Sequence, residues 1–140
     1  MTVRLFAPAL VGAVALALAS PAMAQTVNFK ANLSGAEENP PVQTSGKGDF
    51  TATFDQGSKR LSWKGNYSGL SGPATAAHFH SAEKGKNGGV AVPIAPATSP
   101  MEGSATLNDQ QAADLMAGKW YVNVHTEANK AGEVRGQLTR

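Results

Sequence analysis

The chain has 140 residues, of which 41% are hydrophobic and 16% are charged, with 15 Gly, 8 Pro and no Cys. This length fits one domain and excludes both a large multidomain enzyme and a dinucleotide-binding fold with its long alternation of strands and helices. The net charge of +2 argues against a surface made mainly for phosphate, and the absence of Cys excludes disulfides, thiolate metal sites and a Cys nucleophile.

Residues 1–24 have the pattern of a secretory signal peptide. Arg4 gives a positive start, an uncharged apolar run extends from Leu5 to Ala19, and small residues occupy positions 22 and 24. We expect cleavage after Ala24, which leaves residues 25–140 in the periplasm or the medium with no membrane anchor. The alternative is an N-terminal anchor, but the apolar run is short for a helix that needs about 20 residues to span a bilayer.

The rest of the chain alternates between apolar and polar residues, which is typical of strands with one face in a core. Such runs recur about eight times between turns rich in Gly, Pro and Asn. They predict an all-β fold, an antiparallel Greek-key β-sandwich or barrel of about eight strands. Residues 109–117 depart from this pattern and predict one short helix, which Asn108 can cap and Gly118 can end.

The three histidines of the chain all fall in strand-like segments. Residues two apart in a strand share a face, so His78 and His80 point the same way and Phe79 points the other way. In segment 120–126 the apolar residues alternate with polar ones, and His125 belongs to the polar set. We therefore expect all three imidazoles on polar faces of the sheet.

The last two predicted strands are joined by a short Gly-containing loop and should form a hairpin. The register that pairs apolar with apolar residues places His125 opposite Glu133 and Asn123 opposite Arg135. A shift of two residues would keep the faces but change these partners. The polar face of the hairpin then carries an imidazole, a carboxylate, a guanidinium and an amide.

Two histidines at i and i+2 of one strand, with a third from another strand, form a metal-binding pattern. Imidazole suits copper and zinc, and three His ligands with an open position recur in proteins. The sequence thus predicts a metal site of His78, His80 and His125, with copper ahead of zinc because the affinity order of divalent ions favours it. The residues expected to orient the imidazoles or attract an anion are Asn123, Glu133 and Arg135. Structural hydrogen bonding and acid/base chemistry are the open alternatives.

Several motifs, in order, resemble the CHRD domain, a module named after the developmental antagonist chordin and also found in secreted microbial proteins. They include LSGAEENPPV at 33–42, AHFH at 77–80, NGGV at 87–90, YVNVHT at 121–126 and GEVRGQ at 132–137. The resemblance covers nearly all of residues 27–138. It implies a β-sandwich and an exported protein, and it implies little about activity.

A weaker resemblance, in the order of motifs alone, is to the copper/zinc superoxide dismutases. His78, His80 and His125 are similar in order to three copper ligands, and Arg135 is similar to the arginine that guides the anion. The chain lacks a fourth copper histidine, a recognisable zinc cluster and the disulfide. This resemblance implies a copper oxidoreductase as one possible activity.

The sequence therefore does not decide between three functions. The first is a metal-binding module, the second is a copper oxidoreductase, and the third is a structural or protein-interaction module with another extracytoplasmic protein as its partner. Nucleic acid is not an expected partner. Glu37 and Glu38, beside two prolines, are expected in a rigid solvated loop, with a cation site as the alternative.

Overall fold

The computed structural model describes residues 12, 14–18 and 25–140. Most of the predicted signal peptide therefore lies outside the described residues, and it stays a prediction. Within the described ranges, no helix is long and apolar enough to cross a membrane.

The described part of the chain consists mainly of strands, which confirms the predicted all-β fold. The strands are β1 (Thr26–Ser34), β2 (Lys47–Asp55), β3 (Arg60–Ser68), β4 (Ala74–Ser81), β5 (Val90–Ile94), β6 (Met101–Thr106), β7 (Trp120–Thr126) and β8 (Val134–Gln137). One α-helix, α1 (Asp109–Met116), lies between β6 and β7, and one 3-10 turn (Gly35–Glu37) follows β1.

The strands form one antiparallel sheet in the order β5-β4-β7-β8-β1-β2-β3-β6. The two edge strands, β5 and β6, approach each other, so the sheet is a nearly closed barrel. Around it β4, β5 and β6 follow one another, and β7 returns after α1 to lie on the other side of β4. This connection is the Greek key that the sequence predicts.

The helix α1 begins and ends where its sequence predicts. The Asn108 side chain accepts a hydrogen bond from the backbone N–H of Gln111 at 2.8 Å, and the Gln111 side chain accepts one from the backbone N–H of Asn108 at 2.9 Å. This reciprocal capping satisfies two donors at the helix start. Leu115 is buried against the barrel, and Gly118 adopts φ +76° just after the end of the helix.

The apolar faces of the strands line the interior of the barrel. At its centre Phe79 of β4 meets Phe50, Trp63 and Trp120, with ring centroids 5.4, 5.1 and 5.5 Å away. Burying apolar surface stabilises the fold by about 25 cal/mol per Å². Because this packing fixes β4 and β7, it also fixes the directions of the polar side chains that alternate with the core residues.

The outer face of β4, β7 and β8 is covered by loops, so that β7 is buried along its whole length. The cover consists of segment 38–41, the β4–β5 loop at 82–89 and the β7–β8 loop at 127–133. The first two hold each other: the Asn39 amide donates to the Gly85 carbonyl at 2.9 Å, and the Asn87 amide donates to the Asn39 carbonyl at 2.7 Å. We call the layer beneath these loops the covered polar face; its residues are His78, His80, Tyr121, Asn123, His125 and Arg135.

Candidate metal centre

The structure brings the three histidines together on the covered polar face. β4 and β7 pair so that His78 lies opposite Asn123 and Ala76 lies opposite His125. The predicted hairpin register of β7 and β8 is confirmed, with Asn123 opposite Arg135 and Val124 opposite Val134. The alternation of apolar and polar residues in β4 and β7 is therefore sufficient to place the imidazoles on one face.

One nitrogen from each imidazole points into a common cluster, in which these atoms lie within 4.8 Å of one another. The shortest approach joins His78 Nδ1 and His125 Nε2, which are 3.0 Å apart. The centroid of the His78 ring lies 5.5 Å from that of His80 and 4.8 Å from that of His125. The described residues thus contain a group of three imidazoles whose spacing could hold one metal ion.

Backbone carbonyls orient two of the three rings. His80 Nδ1 lies 2.9 Å from the carbonyl oxygen of Gly88, and His125 Nδ1 lies 2.8 Å from that of Lys130. A carbonyl only accepts, so each Nδ1 donates its hydrogen there, and each neutral ring keeps its lone pair on Nε2. Metal-binding histidines in proteins are oriented by such bonds from the ring nitrogen that does not bind the metal.

The electrostatics of the cluster favour the neutral form of His78 and His80. Burial lowers the pKa of His78, and the neighbouring His125 and His80 lower it further. Burial also lowers the pKa of His80, with the hydrogen bond to Gly88 opposing the change and His125 adding to it. A lowered pKa leaves the lone pairs free of protons near neutral pH, which is the state that a metal needs.

Tyr121 holds His80 from one side. The two rings stack in parallel, with centroids 4.8 Å apart and planes 4° apart. The guanidinium carbon of Arg135 lies 3.4 Å from the Tyr121 centroid, directly over the ring. A cation this close leaves no room for an imidazole on the same face, so His80 and Arg135 take opposite faces of the tyrosine. The stack restricts rotation of the His80 ring.

Arg135 fastens the covering loop to the sheet. Its guanidinium donates to the Lys86 carbonyl at 2.6 Å and to the Asn87 side-chain oxygen at 2.9 Å, and the residue is only 2% exposed. The resemblance to the copper/zinc superoxide dismutases implies an anion-guiding role for this arginine. Its burial and its hydrogen bonds hold the β4–β5 loop in place, and the anion-guiding role stays a prediction.

Asn123 lies on the same face of the sheet as the three histidines. It is opposite His78 in the β4–β7 ladder, two residues from His125 on the same face, and near enough to His80 to oppose the lowering of the pKa of that imidazole. Its Nδ2 donates to the Ala131 carbonyl at 3.3 Å. Its buried Oδ1 has no hydrogen-bond partner among the described residues.

Glu133 lies outside the group of three histidines. The β7–β8 ladder ends at the pair of Val124 and Val134, so the predicted pairing of His125 with Glu133 does not form. The carboxylate instead accepts hydrogen bonds from neighbouring hydroxyl, amide and backbone groups. These donors belong to Thr44, Ser71, Thr126 and Asn129. Burial alone would raise the pKa of Glu133, but the bonds from Ser71, Thr44 and Thr126 lower it to about 2.

Glu38 is the residue that sequence reasoning missed. It was expected in a solvated loop, yet it is buried, because segment 38–41 folds over the sheet. Burial raises the pKa of Glu38 to about 7, although Arg135 and the Asn123 amide oppose the rise. The pair of prolines that follows it indicates a rigid loop, but nothing in the local sequence shows on which surface that loop rests.

The comparison with known protein families identifies the family of this chain. The sequence model of the CHRD domain matches residues 29–138, which is most of the chain and includes all three histidines. The chain belongs to the CHRD domain family. The motifs on which the resemblance rests are therefore those of a CHRD domain, and its LSGAEENPPV segment supplies the buried Glu38. No curated protein and no solved structure was found to match the chain.

Proposed function

We propose that this CHRD domain is an exported metal-binding module that holds one copper ion with His78, His80 and His125. The observation that carries the proposal is the orientation of the rings. Two of them give their Nδ1 hydrogens to backbone carbonyls and keep Nε2 lone pairs for the cluster that all three share.

The spacing of the nitrogens is close to what one ion requires. Imidazole nitrogens bind zinc at about 2.0–2.1 Å, and copper is bound by the same type of ligand, so two ligands of one ion can be at most about 4.2 Å apart. The cluster spans 4.8 Å at its widest. Closing it requires a shift of about half an ångström, which small side-chain rotations within the cluster can supply.

Copper is preferred over zinc on the basis of the ligand chemistry. Imidazole serves both ions, but the affinity of nitrogen sites for divalent ions is highest for copper(II). The dismutase-like alternative loses support because its anion-guiding residue, Arg135, is engaged with the β4–β5 loop. The structural alternative keeps the same hydrogen bonds and requires no metal, so a binding measurement separates it from the proposal.

The test is titration of the metal-stripped protein with Cu(II), Cu(I) and Zn(II), beside His80→Ala and the control Asn66→Ala, which removes an exposed amide from β3. We expect one-to-one binding that is weakened at least about 10-fold in His80→Ala and unchanged in the control. Binding that is unaffected by His80→Ala, or no binding by the wild type, would overturn the proposal. Melting of each metal-free variant reports whether it folds.

Export is the second part of the proposal. CHRD domains occur in extracellular proteins, and residues 1–24 have the pattern of a signal peptide. We expect that expression of the full chain in a bacterial host yields protein in the periplasm or medium whose N-terminal residue is Gln25. Intact-mass measurement of the fractionated protein checks this, and a full-length chain retained in the cytoplasm would contradict it.

A further inference from the structure

Asn123 occupies a place that the three-histidine site does not explain. It faces His78 across the ladder, it precedes His125 by two residues on the same face, and its side chain reaches His80. It is only 2% exposed, and its Oδ1 lacks a hydrogen-bond partner within the described part of the chain. An unpaired buried carbonyl oxygen is costly, so its position requires a reason.

The neighbouring His80 presents a second buried acceptor atom. His80 Nε2 is buried and has no hydrogen-bond partner in the described ranges, and because Nδ1 carries the hydrogen, Nε2 presents a lone pair. Asn123 Oδ1 presents lone pairs as well. Two acceptors cannot bond to each other, but both can bind a cation placed between them.

We propose that Asn123 Oδ1 is a fourth ligand of the metal, completing a site with three imidazole nitrogens and one amide oxygen. The inference rests on the proposed metal-binding function and adds the ligand that sets which ion and oxidation state the site prefers. An amide oxygen is a hard donor, so it favours Cu(II) and Zn(II) over the softer Cu(I).

Glu38 acts as a positioning residue in this arrangement. Its carboxyl group lies beside the Asn123 amide, since a Cβ on Gly132 would lie 2.3 Å from Glu38 Oε1 and 2.5 Å from Asn123 Nδ2. Both atoms therefore converge on the Gly132 backbone, which adopts φ +127°. With Nδ2 held by the Ala131 carbonyl and Glu38 packed beside it, Oδ1 is turned toward the histidines.

One rival orientation makes the opposite prediction. If the amide is turned over, Nδ2 donates to His80 Nε2 and blocks it, and oxygen and nitrogen of an amide are distinguished only by their hydrogen bonds. Removing Asn123 would then free His80 and leave metal affinity unchanged or increased. As a ligand, Asn123 must instead strengthen binding, so the direction of the effect decides between the two orientations.

The experiment measures Cu(II) and Cu(I) affinity of the full protein by competition, for wild type, Asn123→Ala and the matched control Asn66→Ala. We expect Asn123→Ala to weaken Cu(II) binding about 10-fold or more and to leave Cu(I) binding nearly unchanged. A 10-fold selective loss raises the Cu(II)/Cu(I) potential by about 59 mV. A purely structural role would weaken both ions together and leave the potential in place.

A second variant keeps the test decisive if Asn123→Ala does not fold. Asn123→Asp has nearly the same shape and retains an oxygen donor, so we expect it to bind Cu(II) at least as tightly as the wild type. Weaker Cu(II) binding by Asn123→Asp, or equal or tighter binding by Asn123→Ala, would overturn the fourth ligand while leaving the three-histidine site intact. Absence of copper binding by the wild type would instead overturn the proposed function itself.

Discussion

Two strands of this barrel carry similar alternating sequences and have different surroundings. The outward residues of β3, among them Ser62, Lys64 and Asn66, are exposed to solvent, and its inward residues are in the core. The outward residues of β7 are as polar as those of β3, yet Asn123 and His125 are buried. The difference arises from loops that cross the outer face of β7.

This comparison shows how a β-barrel obtains a largely buried polar site without disturbing its apolar core. On the face of β3, water satisfies the polar groups, and neighbouring charges such as Lys64 and Glu102 form an exposed pair at 3.7 Å. Exposed pairs of this kind contribute little to stability. On the covered polar face the buried groups depend on protein partners, and Asn123 Oδ1 is one that has none among the described residues.

The largest expected effect is that of Arg135→Ala against Arg60→Ala. Arg135 is buried and loses two hydrogen bonds and the contact with Tyr121, so we expect a loss of about 3–5 kcal/mol in the free energy of unfolding. Arg60 is exposed on β3, and its loss should cost no more than about 0.5 kcal/mol. Urea unfolding checks this; similar losses would show that the loop cover is not a stabilising layer.

The pH dependence of stability tests Glu38. Its folded pKa of about 7 lies above its ordinary value of 4.5, so its contribution is fully present below pH 4.5 and is lost as pH rises through 7. The loss amounts to about 3 kcal/mol at most. We expect Glu38→Gln to remove this decline, so that the variant is the more stable protein at pH 8 but not at pH 4. Unfolding curves at the two pH values measure it, and parallel pH profiles of wild type and variant would contradict it.

Glu133→Gln should have a smaller effect than Arg135→Ala but a clear one. The carboxylate accepts bonds from several groups, including Thr44 at 2.8 Å and Thr126 at 2.9 Å, and an amide cannot accept all of them. We expect a loss of about 2 kcal/mol at pH 7. Glu102→Gln, on the exposed face of β6, is the control and should change stability little. Since the pKa of Glu133 is about 2, the difference from wild type should shrink as pH falls below 4.5 toward that value.

Most of the fold could be predicted because alternation is a local property. The register of β7 with β8 follows from pairing apolar with apolar residues, and Asn108 and Gly118 mark the ends of α1. The common face of His78 and His80 follows from their spacing of two. Such features depend on neighbours in sequence or on one hairpin, and the sequence contains what is needed to infer them.

What could not be predicted depends on loops that are distant in sequence. Glu38 becomes buried because its loop is held to the β4–β5 loop through Asn39 and Asn87, which are 48 positions apart. Glu133 turns toward Ser71 and Thr44 because the hairpin ladder ends at Val124 and Val134, one pair before the predicted pair of His125 and Glu133. The alternation of apolar and polar residues within a strand carries no information about these contacts.

The smallest expected effect comes from the histidines of the metal-free protein. His78 and His80 have folded pKa values below the ordinary 6.5, so the unfolded chain binds more protons, and stability falls as pH drops below 6.5. Glu38 has the opposite dependence in the same range, and Glu38→Gln is therefore the background in which to measure it. In that background we expect stability to decline between pH 7 and pH 5, and to decline less when His78→Gln is added. An equal decline in both proteins would show that the covered polar face does not hold its imidazoles neutral, and that proton competition for a metal there resembles competition at an exposed histidine.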